Sequence, residues 1–281
     1  MMRFLRKSQL WLHVPMLILA FLFVAPLIWM ISTSLKTPDD IINGLGSMRW
    51  IPSPVTTENF HKVLTNVEEF PVWRWTFNSL FISLSVTFLV LLVDSLAAYA
   101  YSRLVWKGRD KVFAVLVATM LVPGQVLLIP TYLLIRNLNW FDTYQALIIP
   151  AGASAFGVFL LRQFFMTIPK ELEEAARLDG CGPIGVFRHV ILPLSKPALA
   201  TLGIFTFMGT WNAFEGPLIL TNSQEMRTLP IGITIFQGHY GADYGAMMSA
   251  AALAALPVLI AFLIFQKHII KGISLTGLAG R

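Results

Sequence analysis

Six stretches of this chain run for about twenty residues or more with almost no charge: Leu10–Thr33, Thr76–Tyr101, Val112–Ile135, Ala146–Phe165, Pro197–Leu220 and Ala246–Gln266. A helix rises 1.5 Å per residue, so roughly 20 apolar residues cross a hydrocarbon layer of about 30 Å. Backbone polar groups in lipid must be satisfied internally, which at these lengths leaves helices. Hydrophobic residues are 56% of the chain and charged residues 13%, against about 25% charged in soluble domains. A water-soluble core of 281 residues cannot hide that much apolar surface. The predicted class is an all-α polytopic membrane protein with six transmembrane helices. Pro15, Pro26, Pro123, Pro130, Pro150 and Pro257 fall in these runs, where proline predicts kinks rather than breaks.

The first run follows Arg3, Arg6 and Lys7 and so looks like a secretory signal. It is longer than the ~7–15-residue apolar core of a cleavable signal and is read as a retained span. Lysine and arginine then set the orientation. With the N-terminus inside, the segments on that side hold fifteen of the 21 basic residues, among them Arg103, Lys107, Arg109, Lys111, Arg162, Lys170, Arg177 and Lys267. The other side holds Lys36, Arg49, Lys62, Arg74, Arg136 and Arg227. The expectation is N-in and C-in. The predicted organisation is a first helix with its external loop (1–75), a five-helix core (76–267) and a cytoplasmic tail (268–281).

The net charge of +6 does not imply nucleic acid, because the basic residues are spread between spans without interleaved aromatics. A single cysteine, Cys181, excludes an internal disulfide and a cysteine metal cluster. No histidine pair has ligand spacing, and no metal site is expected. Two hydrophilic stretches remain. The external one, Ser34–Trp75, contains a predicted short amphipathic helix starting near Thr57, with Phe60, Val63 and Leu64 on one face. The cytoplasmic one, Thr167–Lys196, carries the chemistry.

In that second stretch, Pro169 with Glu171, Glu173 and Glu174 suits a helix N-terminus, where carboxylates meet the positive end of the dipole. Ala175 and Ala176 leave room for a close neighbour. Asp179-Gly180 is a stop signal, with glycine free to turn left-handed. Gly182-Pro183 opens a second short helix, predicted to end before Pro193. The result is a helix–turn–helix knob, acidic and small-faced on one arm and apolar on the other through Ile184, Val186 and Phe187.

The segment resembles the EAA signature of bacterial ABC-importer permeases, in Glu174-Ala175-Ala176, Gly180 and the closing Val190-Ile191-Leu192-Pro193. Val190 departs from the usual isoleucine. The likeness extends to MalG-type permeases of carbohydrate importers through Ser34–Asp39, Asn78-Ser79-Leu80, Ala97–Arg103, Trp211–Leu218 and Phe265–Gly272. Ala213 stands where that group often has an acidic residue.

The resemblance implies a type I importer permease in the bacterial cytoplasmic (inner) membrane, without catalytic residues, bound cofactor or nucleic acid. Its partners would be a second permease subunit, an ABC ATPase dimer carrying ATP and magnesium, an extracytoplasmic solute-binding protein and membrane lipid. ATPase docking would fall on Glu174, Ala175, Ala176, Asp179, Gly180, Val190, Leu192 and Pro193. The cargo would be a sugar or oligosaccharide, with glycerol phosphate, a polyamine or iron as rivals. The chain has no GxxxxGK[ST] phosphate loop, so ATP hydrolysis falls to a partner.

Residues within or near the spans supply substrate-path candidates: Trp211, Asn212, Glu215 and Asp94. An aspartate at a bilayer centre costs about 2.5–3.5 kcal/mol on insertion scales. Asp94 is read either as functional (a cation site, if the chain were an ion-coupled transporter) or as a residue paired across a subunit interface or facing water. Trp211 offers an aromatic face to a sugar or else marks a membrane interface. Glu215 lines the path or anchors the outer loop. Gly152 and Gly157 are read as close-packing positions, and Cys181 as a passive small residue.

Overall fold

A computed structural model describes residues 10–44, 49–66, 70–237 and 243–278. The basic cluster at Arg3, Arg6 and Lys7, together with Gly46, Glu68, Glu69 and Arg281, lies outside the described residues. All regular structure among those described is helical. In chain order the helices are α1 (Leu10–Ser34), α2 (Pro38–Gly44), α3 (Glu58–Thr65), α4 (Val72–Arg103), α5 (Arg109–Thr119), α6 (Leu128–Asn137), α7 (Tyr144–Ile148), α8 (Ala155–Met166) and α9 (Lys170–Leu178). They continue with α10 (Pro183–Leu194), α11 (Lys196–Trp211), α12 (Glu215–Leu220), α13 (Leu229–Ile233) and α14 (Tyr244–Leu278). The chain divides into two compact units, residues 1–73 with 232–256 and residues 74–231 with 257–281.

In the first unit, α1 shows bare apolar side chains along its length, with Phe23 79% and Leu17 69% exposed. An apolar surface of that length is one that faces lipid or another protein rather than water. The helix stays continuous through Pro15 and Pro26. Its C-terminal end, by contrast, is tightly held. Lys36 is buried, donates to the Arg49 carbonyl at 2.5 Å and lies 4.3 Å from the Trp29 ring centroid. The Asn59 side-chain amide donates to the carbonyls of Ser34 (3.0 Å) and Lys36 (2.7 Å). The predicted amphipathic helix is α3, and Val63 is its buried anchor. Asn59 on the same helix does the polar work, which the apolar pattern alone did not reveal.

The second unit is organised on α4. Residues Asn78, Ile82, Val86, Val90, Asp94 and Ala98, each four apart, are all buried. That spacing makes one ridge along a helix. Against its apolar part pack Val158, Leu161 and Phe165 of α8 and Ala198 and Leu202 of α11. The two polar members of the ridge are fully used. Asn78 donates to the carbonyls of Glu225 (2.7 Å) and Arg227 (2.8 Å) and accepts from the Tyr144 hydroxyl (2.7 Å).

Of the six apolar runs, α1 and α4 are each single helices long enough to cross a membrane. The third run is broken rather than kinked. It stops at Thr119, turns at Pro123-Gly124 and resumes, with the two pieces inclined at 91°. The fourth breaks between α7 and α8, where Pro150 cannot donate to a helical ladder and Ser154 starts a new helix. The fifth divides at Asn212–Phe214 into α11 and α12. The sixth is one helix that runs on to Leu278 through Pro257, so the predicted tail at 268 continues it without a break.

Candidate functional site

The predicted knob is present and its turn follows from backbone chemistry. Pro169 precedes α9 with an extended ψ, and Glu171 and Glu173 occupy the first turn. At the other end Gly180 takes φ +89°, the left-handed conformation that costs other residues roughly 1–2 kcal/mol. The Cys181 N–H donates to the Ala176 carbonyl (2.9 Å) and the Gly180 N–H to that of Arg177 (3.0 Å). These are the paired bonds of a Schellman cap. Cys181 and Ala176, its usual apolar contact pair, both lean on the core.

The second arm differs from expectation. It does not end before Pro193 but runs to Leu194, because Phe187–Ile191 is a π turn in which the Leu192 N–H donates to Phe187. A widened turn leaves room for a proline ring that would collide with a carbonyl four residues back in an α-helix. A bend of 77° follows between α10 and α11.

The motif residues separate into two faces. Glu174, Ala175, Asp179, Gly180 and Pro193 are exposed, while Ala176, Val190 and Leu192 are partly buried against the core. Leu178 is 89% and Ile184 81% exposed at the tip, an apolar pair beside the acidic arm. Val186 and Phe187, expected on the apolar contact face with Ile184, are instead buried in the core. They are the root of the knob, since side chains one turn from its tip reach the ridge of α4.

Two charged residues that the motif did not single out fasten this root. The Arg103 Nε atom lies 3.0 Å from a Glu173 carboxylate oxygen, with the side chains 4% and 6% exposed. Alignment makes this a charge contact rather than a hydrogen bond. The same guanidinium donates to the carbonyls of Phe165 and Ile168, the latter at 2.6 Å. One turn earlier the Tyr99 hydroxyl donates to the Pro183 carbonyl at 3.0 Å. Glu173 faces inward and Glu174, about 100° further round, faces out. The sequence shows three glutamates in a row of four but not which one turns in.

The substrate-path candidates divide as well. Asp94 is fully buried, and its carboxylate accepts from the Ser154 N–H (3.0 Å) and hydroxyl (2.8 Å). The Ser154 hydroxyl in turn accepts from the Gly157 N–H. Asp94 therefore supports the N-terminus of α8, where a negative charge meets the dipole. Within this chain its carboxylate is enclosed, with Ser154 as its hydrogen-bond partner. A Cβ at Gly157 would stand 2.0 Å from this carboxylate, and one at Gly152 would stand 3.0 Å from Leu89, as close packing requires. Trp211 is 2% exposed and stacked on Phe207 at 5.9 Å. Asn212 and Glu215 are exposed. No cluster of metal-ligating side chains occurs among the described residues.

Residues 95–275 match the family described as binding-protein-dependent transport system inner membrane component. The arabinooligosaccharides transport system permease protein AraQ of Halalkalibacterium halodurans is 33% identical over 93% of each chain. The trehalose/maltose transport system permease protein MalG of Thermococcus litoralis is 33% identical over 97% of this chain and 98% of its own. The sn-glycerol-3-phosphate transport system permease protein UgpE of Shigella flexneri is 34% identical over 80% of this chain and 82% of its own. A bacterial ABC transporter involved in the import of the acidic polysaccharide alginate has a chain with the same fold, at TM-score 0.83 and 23% identity over 93% of this chain. The match covers the knob, its α4 root and the spans that carry them, and the chain belongs to the binding-protein-dependent inner-membrane family, as a permease subunit of an ABC importer whose ATP hydrolysis lies in a separate protein.

Proposed function

We propose that this chain forms half of the translocation path of an oligosaccharide or disaccharide importer in a bacterial inner membrane. It crosses six times, with α1, α4, the pair α5–α6, the pair α7–α8, α11 with α12, and α14, and both termini lie in the cytoplasm. The positive-inside bias supports this orientation. A second permease completes the path, an external binding protein delivers the solute, and ATP with magnesium sits on the partner ATPase.

One observation carries the reading. A helix–turn–helix knob presents an acidic, small-faced arm and two bare apolar side chains, Leu178 and Ile184, on a root buried in the permease core. Glu174, Ala175, Asp179, Gly180 and Pro193 would meet the ATPase, while Ala176, Val190 and Leu192 hold the shape that they present. Asn212 and Glu215 stay as candidates for the solute path.

The carbohydrate assignment is tested by uptake of radiolabelled arabinotriose, maltose, trehalose, diacetylchitobiose and glycerol 3-phosphate in cells with and without the chain. Loss of one or two of the sugars is expected. Likeness to the glycerol-3-phosphate permease favours a second reading, and loss of glycerol 3-phosphate uptake with every sugar intact would move the chain to it.

A further inference from the structure

We infer that Arg103 is a positioning residue that makes the knob and α4 shift as one body when ATP is turned over. The inference rests on reading the knob as the ATPase-docking element. Arg103 is the last residue of α4, and its one guanidinium meets three separate pieces of chain. These are Glu173 in the first arm, the Phe165 carbonyl at the end of α8, and the Ile168 carbonyl in the link between them. Tyr99, four residues back on the same helix, holds the second arm by its hydroxyl on the Pro183 carbonyl and by its ring, 5.1 Å from that of Phe187. Both arms are thus tied to the last two turns of one helix, whose buried ridge continues to Asn78.

A buried ion pair is a poor device for stability alone, since an apolar pair of similar volume often serves as well or better. It is a good device for transmission. Arginine keeps its charge at any physiological pH and presents donors in a fixed planar fork. Opposite charges in a poorly screened site attract over a longer range than apolar contacts do, so the pair resists separation as well as approach. A knob held only by apolar contact could be pushed by the ATPase but would follow a pull weakly.

The test uses the complete transporter in proteoliposomes, measuring phosphate release together with uptake of whichever solute in the panel above the wild-type complex accumulates. Glu173→Gln and Arg103→Met should each lower solute moved per ATP by about tenfold, while the complex still assembles. Arg103→Lys, which keeps the charge, should recover most of that loss. The double variant R103M/E173Q removes both charges and so guards against simple misfolding. Its ratio should match R103M alone rather than the product of the two single losses. A wild-type ratio in E173Q, equal losses in R103K and R103M, or an additive double variant would overturn the inference. Failure of the wild-type chain to capture the ATPase would instead remove the docking reading, so the two failures are separable.

Discussion

Gly180 and Asp94 show how differently two singled-out residues are constrained. At Gly180 the need is conformational: φ is +89° and a Cβ would meet nothing within 4 Å in this chain. Gly180→Val should therefore cost roughly 1–2 kcal/mol of local turn stability and leave span packing intact. The expected result is normal insertion with weakened capture of the ATPase, measured by co-purification. Cysteines placed at Leu178 or Ile184 should crosslink to the ATPase better than half-buried Cys181, whose main-chain N–H closes the cap. At Asp94 the need is chemical. Asp94→Asn turns one of the two acceptors that Ser154 uses into a donor, and should lower stability by about 1–2 kcal/mol. That appears as a reduced Tm in detergent with solute preference unchanged. An altered preference, or loss of an ion dependence, would restore Asp94 to the path.

Elements were more legible than their joints. The length of apolar runs gave helices in the right places, and Pro169, Gly180 and Gly182-Pro183 marked the knob. What the pattern missed were long-range polar ties, such as Asn59 on Ser34, Asn78 on Glu225 and Arg103 on Glu173, because a partner tens of residues away leaves no local period. The same reason hid the breaks in the third and fourth runs, where a proline's effect depends on what can satisfy the freed carbonyls. One such tie makes a pH prediction. Asp142 accepts from the Asn222 N–H at 2.8 Å and that of Ser223 at 3.1 Å. Partial burial works against its charge, but these bonds and the Ser223 side chain outweigh it and hold the carboxyl below its ordinary 3.8. A lowered native pKa gives stability that is present above the unfolded value and lost as pH falls through the native one. Proteolysis at residues 221–228 should thus rise on going from neutral to about pH 3. Asp142→Asn tolerates the same positive φ of 59° and should abolish most of the difference.

For the whole molecule, topology is the first thing to measure. Single cysteines near Lys107 and beyond Leu178 should react with membrane-impermeant maleimide only after the cells are opened, and those near Asn222 should react at once. External labelling beyond Leu178 would end both the orientation and the docking proposals. The π turn at Phe187–Ile191 has a consequence of its own for the assembled machine. It houses one residue more than α geometry would, so the pieces on either side keep their faces while the backbone opens at Pro193. The path of the arm is therefore encoded in a residue count as well as in side chains. A frame-preserving deletion of His189 would leave every apolar run and every named contact residue in the chain. It would still close the turn to α geometry and drive the Pro193 ring against the carbonyl four residues back, forcing a kink at the base of the knob. Insertion should be normal and transport absent, and one alanine added back inside the turn should restore it.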